Sequence, residues 1–130
     1  MQTNRHTQAN EAFDAALTAD EAGELVKAID GYRRALDIKP SHVEALINLG
    51  TALCTADMPE AALVQYRRAV MVDPSNPIAW FNLGASAHDL GKVSMAKTAY
   101  KRALQLAPGM NDARCNLAAL TQNRRQAGRR

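Results

Sequence analysis

The segment that decides the fold is 77–110, Pro77-Ile-Ala-Trp80-Phe-Asn-Leu83-Gly84-Ala-Ser-Ala-His-Asp-Leu-Gly91-Lys-Val-Ser-Met-Ala96-Lys-Thr-Ala-Tyr100-Lys-Arg-Ala103-Leu-Gln-Leu-Ala-Pro108-Gly-Met110. Apolar and small residues recur in it at helical spacing on either side of Gly91, and Pro108 closes it. Two helices joined by a short turn are therefore expected. Moving 34 residues toward the N-terminus finds the same pattern. Ala96 aligns with Ala62 and Ala28, Tyr100 with Tyr66 and Tyr32, and Ala103 with Ala69 and Ala35. Pro108 aligns with Pro74 and Pro40, Gly84 with Gly50 and Ala16, and Leu83 with Leu49. Moving forward 34 residues continues the frame, with Leu117 following Leu83 and Asn116 following Asn82 and Asn48. A fixed period without insertions marks an array of identical supersecondary units.

The chain divides into units 9–42, 43–76 and 77–110, preceded by 1–8 and followed by 111–127 and 128–130. The first helix of each unit is predicted at about 9–21, 43–56 and 77–90, and the second at about 25–38, 59–72 and 93–106. Gly23 and Gly91 fall in the turns between them, where Asp57-Met58-Pro59 takes the place of glycine. Pro59 suits the first position of a helix, where its missing N–H costs nothing. Pro40, Pro74 and Pro108 end the second helices. Ser41, Ser75 and Asn76 are expected to cap the helices that follow. Residues 1–8 are expected to form a flexible arm, 111–127 a capping helix, and 128–130 a basic tail.

Small residues at 16, 50, 84, 28, 62 and 96 let the two helices of a unit approach closely. The tyrosines fill the wider gap, and Ala35, Ala69 and Ala103 admit the next unit. One such pair cannot bury its apolar face, so neighbours must stack.

These residues resemble the tetratricopeptide repeat. The third unit carries the signature most fully, in Trp80-x-x-Leu83-Gly84, Ala96-x-x-x-Tyr100, Ala103 and Pro108. The second has Leu46 in place of Trp, and the first has Ala12, Ala15 and Ala16 in its first helix. The resemblance spans about 120 of the 130 residues. It implies an all-α fold, a right-handed α-solenoid whose concave wall is made by the first helices. The wall positions are then the second, fifth, sixth, ninth, twelfth and thirteenth of each unit. They bring Phe13, Ile47, Phe81 and Cys115 into an apolar stripe beside Asp14, Asn48, Asn82 and Asn116. Thr51, Cys54 and His88 lie alongside. An amide offers both a donor and an acceptor to the backbone of an extended peptide. A similar asparagine ladder holds peptide backbone in O-linked N-acetylglucosamine transferases; it carries over to Asn48, Asn82 and Asn116, while Asp14 departs from it. The alternative is that these asparagines only solvate duplicated helices. Repeats that bind acidic chaperone C-termini use a clamp of Lys, Arg and Asn at the second and sixth positions of this wall, of which the Asn half survives here and every cation is absent. Here Asn10, Glu44, Ile78 and Asp112 stand at the second positions, so the expected ligand is neutral to basic.

Composition narrows the function classes. The chain has 47% apolar and 22% charged residues, 25 alanines and six aromatics among 130 residues, a mixture that suits close-packed helices. No run approaches the roughly 18 to 20 apolar residues of a membrane span, so no membrane insertion is expected. Residues 1–8 contain no secretory pattern, and two cysteines 61 positions apart make no disulfide framework. A cytoplasmic location is expected. The last ten residues hold four arginines and no acid, so a net charge of +3 leaves the other 120 at −1. The body is not basic, and no nucleic-acid partner is expected.

Other features favour plain readings. Arg33-Arg34, Arg67-Arg68 and Lys101-Arg102 read as a solvated face with i,i+4 ion pairs, or else as a ridge for an acidic partner. Val64 and Met71 are apolar where the repeat has charges and offer a dimer contact. Cys54 and His88 lack an orienting third group and an oxyanion site, so no catalysis is expected. His6, His42 and His88 share no metal-ligand spacing, and no cofactor is expected. The expectation is a non-enzymatic module binding a protein or peptide. A self-assembling scaffold, possible as a homo-oligomer, and the substrate-recruiting part of a larger enzyme are its rivals.

Overall fold

The computed structural model describes the backbone of residues 2–128 and the side chains of residues 4–122. Among the described residues there are seven helices and no strand. They are α1 (Gln2–Glu21), α2 (Leu25–Ile38), α3 (Val43–Thr55), α4 (Pro59–Val72), α5 (Pro77–Asp89), α6 (Val93–Leu106) and α7 (Asn111–Gly128). The chain forms two packed units, the first ending at Val72 and the second beginning at Asp73. In the first, α1 packs on α2, α2 on α3, and α3 on α4; in the second, α5 packs on α6 and α6 on α7.

The turn after each first helix shows how the repeat stops one helix and starts the next. Gly23, Asp57 and Gly91 all adopt positive φ, at 78°, 60° and 74°. The N–H of each bonds to the carbonyl three residues back, at Asp20, Cys54 and His88. The following N–H reaches the carbonyl five back, at Ala19, Leu53 and Ala87. This double bond pattern satisfies orphan carbonyls at the helix end and demands a left-handed residue. Glycine adopts that conformation freely, whereas Asp57 does so at some cost.

Ala28, Ala62 and Ala96 are completely buried, as are Ala35, Ala69 and Ala103. Tyr32, Tyr66 and Tyr100 are buried beside them. A Cβ on Gly50 would lie 2.5 Å from the Tyr66 ring, and one on Gly84 would lie 2.8 Å from the Tyr100 ring. The glycines are thus the sockets for the tyrosines of their own unit. The first repeat solves the same problem in reverse. Ala16 supplies a methyl, and Gly31 on α2 makes room for it, since a Cβ there would fall 2.6 Å from that of Ala16. Gly31 stands outside the repeat pattern and was not expected to matter.

Three local expectations are corrected. Residues 2–8, expected as a flexible arm, continue α1 toward the N-terminus. The cap of α3 is His42 rather than Ser41: its Nδ1 accepts the Ala45 N–H at 3.1 Å. Asn76 caps α5 as expected, accepting from Ile78 and Ala79, while the Ser75 hydroxyl donates to Asp73. On the basic faces, Arg68 and Arg102 donate to Gln65 and Gln105 instead of forming i,i+4 ion pairs. The final helix begins at Asn111 and buries Ala113 and Leu120, with Leu117 half-buried. Residues 129–130 of the expected basic tail lie outside the described residues.

Candidate functional site

The sequence splits α3 and α5 into two faces, and packing keeps them apart. On α3, Ala45, Leu46, Leu49, Gly50, Ala52 and Leu53 are buried, while Glu44, Ile47, Asn48, Thr51, Cys54 and Thr55 are exposed or half-buried. On α5, Ala79, Leu83, Gly84, Ser86 and Ala87 are buried. Ile78, Phe81, Asn82, Ala85, His88 and Asp89 form its open face. These are the same six repeat positions. On α7, Asp112, Cys115 and Ala119 are exposed and Asn116 is half-buried. The three asparagines are therefore neither sealed in the core nor fully solvated.

Phe13 departs from the expected open stripe. It is only 8% exposed, because the Tyr32 and His42 rings close over it at centroid distances of 5.8 and 4.8 Å. Phe81 meets Tyr100 at the same 5.8 Å yet stays half-buried. Asp14 is exposed beside Phe13.

Each buried tyrosine sends its hydroxyl toward the open face. Tyr32 donates to the Asp20 carboxylate at 2.7 Å, and burial with this acidic partner holds the phenol protonated well above its usual range. The Tyr66 hydroxyl lies 2.9 Å from that of Thr51. Thr51 also reaches the Ile47 carbonyl at 3.2 Å, and either hydroxyl can donate in the Thr51–Tyr66 pair. Burial pushes Tyr66 up to about 12. Asn116 donates through Nδ2 to the Tyr100 hydroxyl at 3.4 Å, and burial again raises the phenol. This bond uses one amide hydrogen of Asn116; its second amide hydrogen and its carbonyl oxygen keep their hydrogen-bond capacity. The tyrosines thus act as core fillers and as anchors for polar groups of the open face.

Within the first unit an open cleft of about 570 Å³ adjoins α1 and the turn between α2 and α3. Phe13, Asp14, Lys39, His42 and Glu44 line it together with His6 and Asn10. The repeat arithmetic brought Phe13 and Asp14 here but missed His42 and Lys39, which lie in the inter-unit turn outside the wall positions. Their signal was weak: at 34-residue spacing His42 corresponds to Asn76 and Met110, chemically unlike residues. Burial lowers the pKa of His42, with Glu44 partly opposing the shift.

Among the described residues no group of three metal-ligating side chains comes together, and no helix is long and apolar enough to cross a membrane. Cys54, Cys115 and His88 are exposed. Val64 and Met71 are exposed on α4.

A profile described as tetratricopeptide repeat matches residues 77–110, and one described as TPR repeat matches 60–91. Solved structures of similar fold include the Sgt2 TPR domain from Aspergillus fumigatus, 26% identical with a TM-score of 0.84, covering 95% of this chain and 83% of that one. The first TPR of Spaghetti (RPAP3), bound to the HSP90 peptide SRMEEVD, is 25% identical with a TM-score of 0.86, covering 90% and 93%. The second TPR domain of human RPAP3, in complex with the HSP70 peptide SGPTIEEVD, is 25% identical with a TM-score of 0.84, covering 90% and 98%. No curated protein sequence matches this chain.

Proposed function

Because this chain belongs to the tetratricopeptide repeat proteins, with three helical pairs and a final helix, we propose that it is a non-enzymatic interaction module. It binds an extended, neutral-to-basic segment of another protein on the open faces of its first helices. The observation that carries this reading is the half-buried asparagine at one repeat position of α3, α5 and α7. Such amides are held in place by packing yet keep capacity for a peptide backbone. Ile47 and Phe81 each supply apolar area on the open face of their own helix, and Thr51, Cys54 and His88 bear on side-chain choice. The peptides in the RPAP3 structures carry Glu-Glu-Val-Asp. On this chain Asp14, Glu44, Asp89 and Asp112 are exposed on the open helix faces, so like charges oppose an acidic tail there. The exposed thiols of Cys54 and Cys115 suit a cytoplasmic setting.

The test is selection of peptides from a random library on the whole chain, followed by calorimetry with the Asn48→Ala, Asn82→Ala double variant. Loss of two hydrogen bonds should weaken binding by about 1 to 3 kcal/mol. Equal affinity for both proteins would refute the asparagine role. Self-assembly through α4 is the second reading, favoured by Val64 at 53% and Met71 at 80% exposure. Sedimentation that shows a monomer at every concentration removes it.

A further inference from the structure

We propose that the cleft of the first unit is a subsite for a basic side chain, Lys or Arg, of the bound segment. This rests on the peptide-binding reading above and specifies its partner chemistry. The floor is the Phe13–His42 ring pair, 4.8 Å between centroids. His42 is only 9% exposed, and its Nδ1 already accepts the Ala45 N–H. The neutral ring therefore carries its proton on Nε2. Among the described residues no protein group accepts that proton, and the ring lines the cleft. That donor opens onto the cleft rather than being sealed in the core, so a peptide carbonyl can accept it in place of water.

Asp14 and Glu44 flank the same cleft. Both are exposed, and among the described residues neither has an ion-pair partner. The cation present, Lys39, donates to His6 Nδ1 at 3.1 Å. An extended segment with a basic residue meets every one of these features. Its carbonyl takes the His42 proton, its side-chain methylenes lie over the two rings, and its charged head reaches the carboxylates. An acidic side chain would face two carboxylates against one engaged ammonium. A neutral one would leave both carboxylates unused.

The experiment is a titration of the isotopically labelled full chain, followed by amide and imidazole NMR, with three capped tripeptides: acetyl-Ala-Arg-Ala, acetyl-Ala-norleucine-Ala and acetyl-Ala-Glu-Ala methylamides. The arginine peptide should give saturable shifts at Glu44, Ala45 and the His42 ring, with affinity about fivefold above the norleucine peptide, as two exposed charge pairs allow. The Asp14→Asn, Glu44→Gln double variant should erase that preference while leaving norleucine binding unchanged. His42→Asn, which keeps a capping side chain but removes the Nε2 donor, should weaken the arginine and norleucine peptides alike. Equal binding of arginine and norleucine by the wild type overturns the proposal, as does a preference for the glutamate peptide or the absence of shifts in the cleft. Saturable shifts confined to Asn48 and Thr51 would sink this subsite while leaving the wider peptide-binding reading intact. An unchanged amide spectrum away from the cleft confirms that each variant is folded.

Discussion

Gly31→Ala tests whether the first repeat is held by the close approach of α1 and α2. The added methyl carbon would lie 2.6 Å from the Ala16 Cβ and 3.0 Å from its Cα. Carbon atoms rest comfortably at about 3.5 to 4.0 Å, so the shortfall is about 1 Å. One of the two obstructing atoms is backbone and cannot swing aside, so the helices must part. Overpacking of this kind costs about 1 to 3 kcal/mol. Alanine returns up to about 1 kcal/mol as the better helix former. The expected net loss is about 1 to 2 kcal/mol, read as a lower urea midpoint by far-UV circular dichroism. Ala16→Gly removes the nearer contact, so in that background Gly31→Ala should cost less by about 1 kcal/mol. Gly109→Ala, where an added Cβ meets nothing within 4 Å, is the control. If Gly31→Ala is as stable as the wild type, or costs the same with and without the Ala16 methyl, the reasoning fails.

Asp57→Gly should stabilise the protein by up to about 1 kcal/mol, because it relieves a left-handed non-glycine residue in the α3–α4 turn; thermal melting against the wild type decides it. His42 makes stability depend on pH. Its pKa in the folded chain is lowered from 6.5 by burial, so the unfolded chain takes up the proton first. Its contribution is complete above pH 6.5 and declines as the pH falls through the window below that value. His42→Asn retains a capping oxygen without titrating there, so its urea midpoint should fall less on acidification; an identical pH slope would exclude His42 as the cause. Tyr66→Phe should cost about 1 kcal/mol in the same unfolding assay through loss of the Thr51 bond at 2.9 Å; an unchanged midpoint would count against that bond.

The helical pairs were legible because a period of 34 residues repeats the punctuation as well as the apolar spacing. Gly23, Asp57 and Gly91 mark the same turn, and the second helices start and stop where the sequence places them. The open faces of α3 and α5 were legible for the same reason: a helix that buries Leu49 and Gly50 must turn Asn48 and Thr51 another way. Phe13 was not legible. Its exposure depends on a ring 29 positions away, at His42, which no periodicity connects to it. Nor did residues 2–8 announce their helix, for their polar composition carries no apolar stripe.

Local order along this chain, its turns, helix limits and the division of each helix into two faces, follows from the sequence by itself, because each depends on residues within a turn or two of one another. The partners met across helices were decided only by tertiary structure. Gly31 became a socket because Ala16 leans on it, Tyr66 on α4 met the Thr51 hydroxyl on α3, and His42 became both a cap and the lid over Phe13. Those roles depend on distances between separate helices, which packing sets and a one-dimensional pattern does not contain.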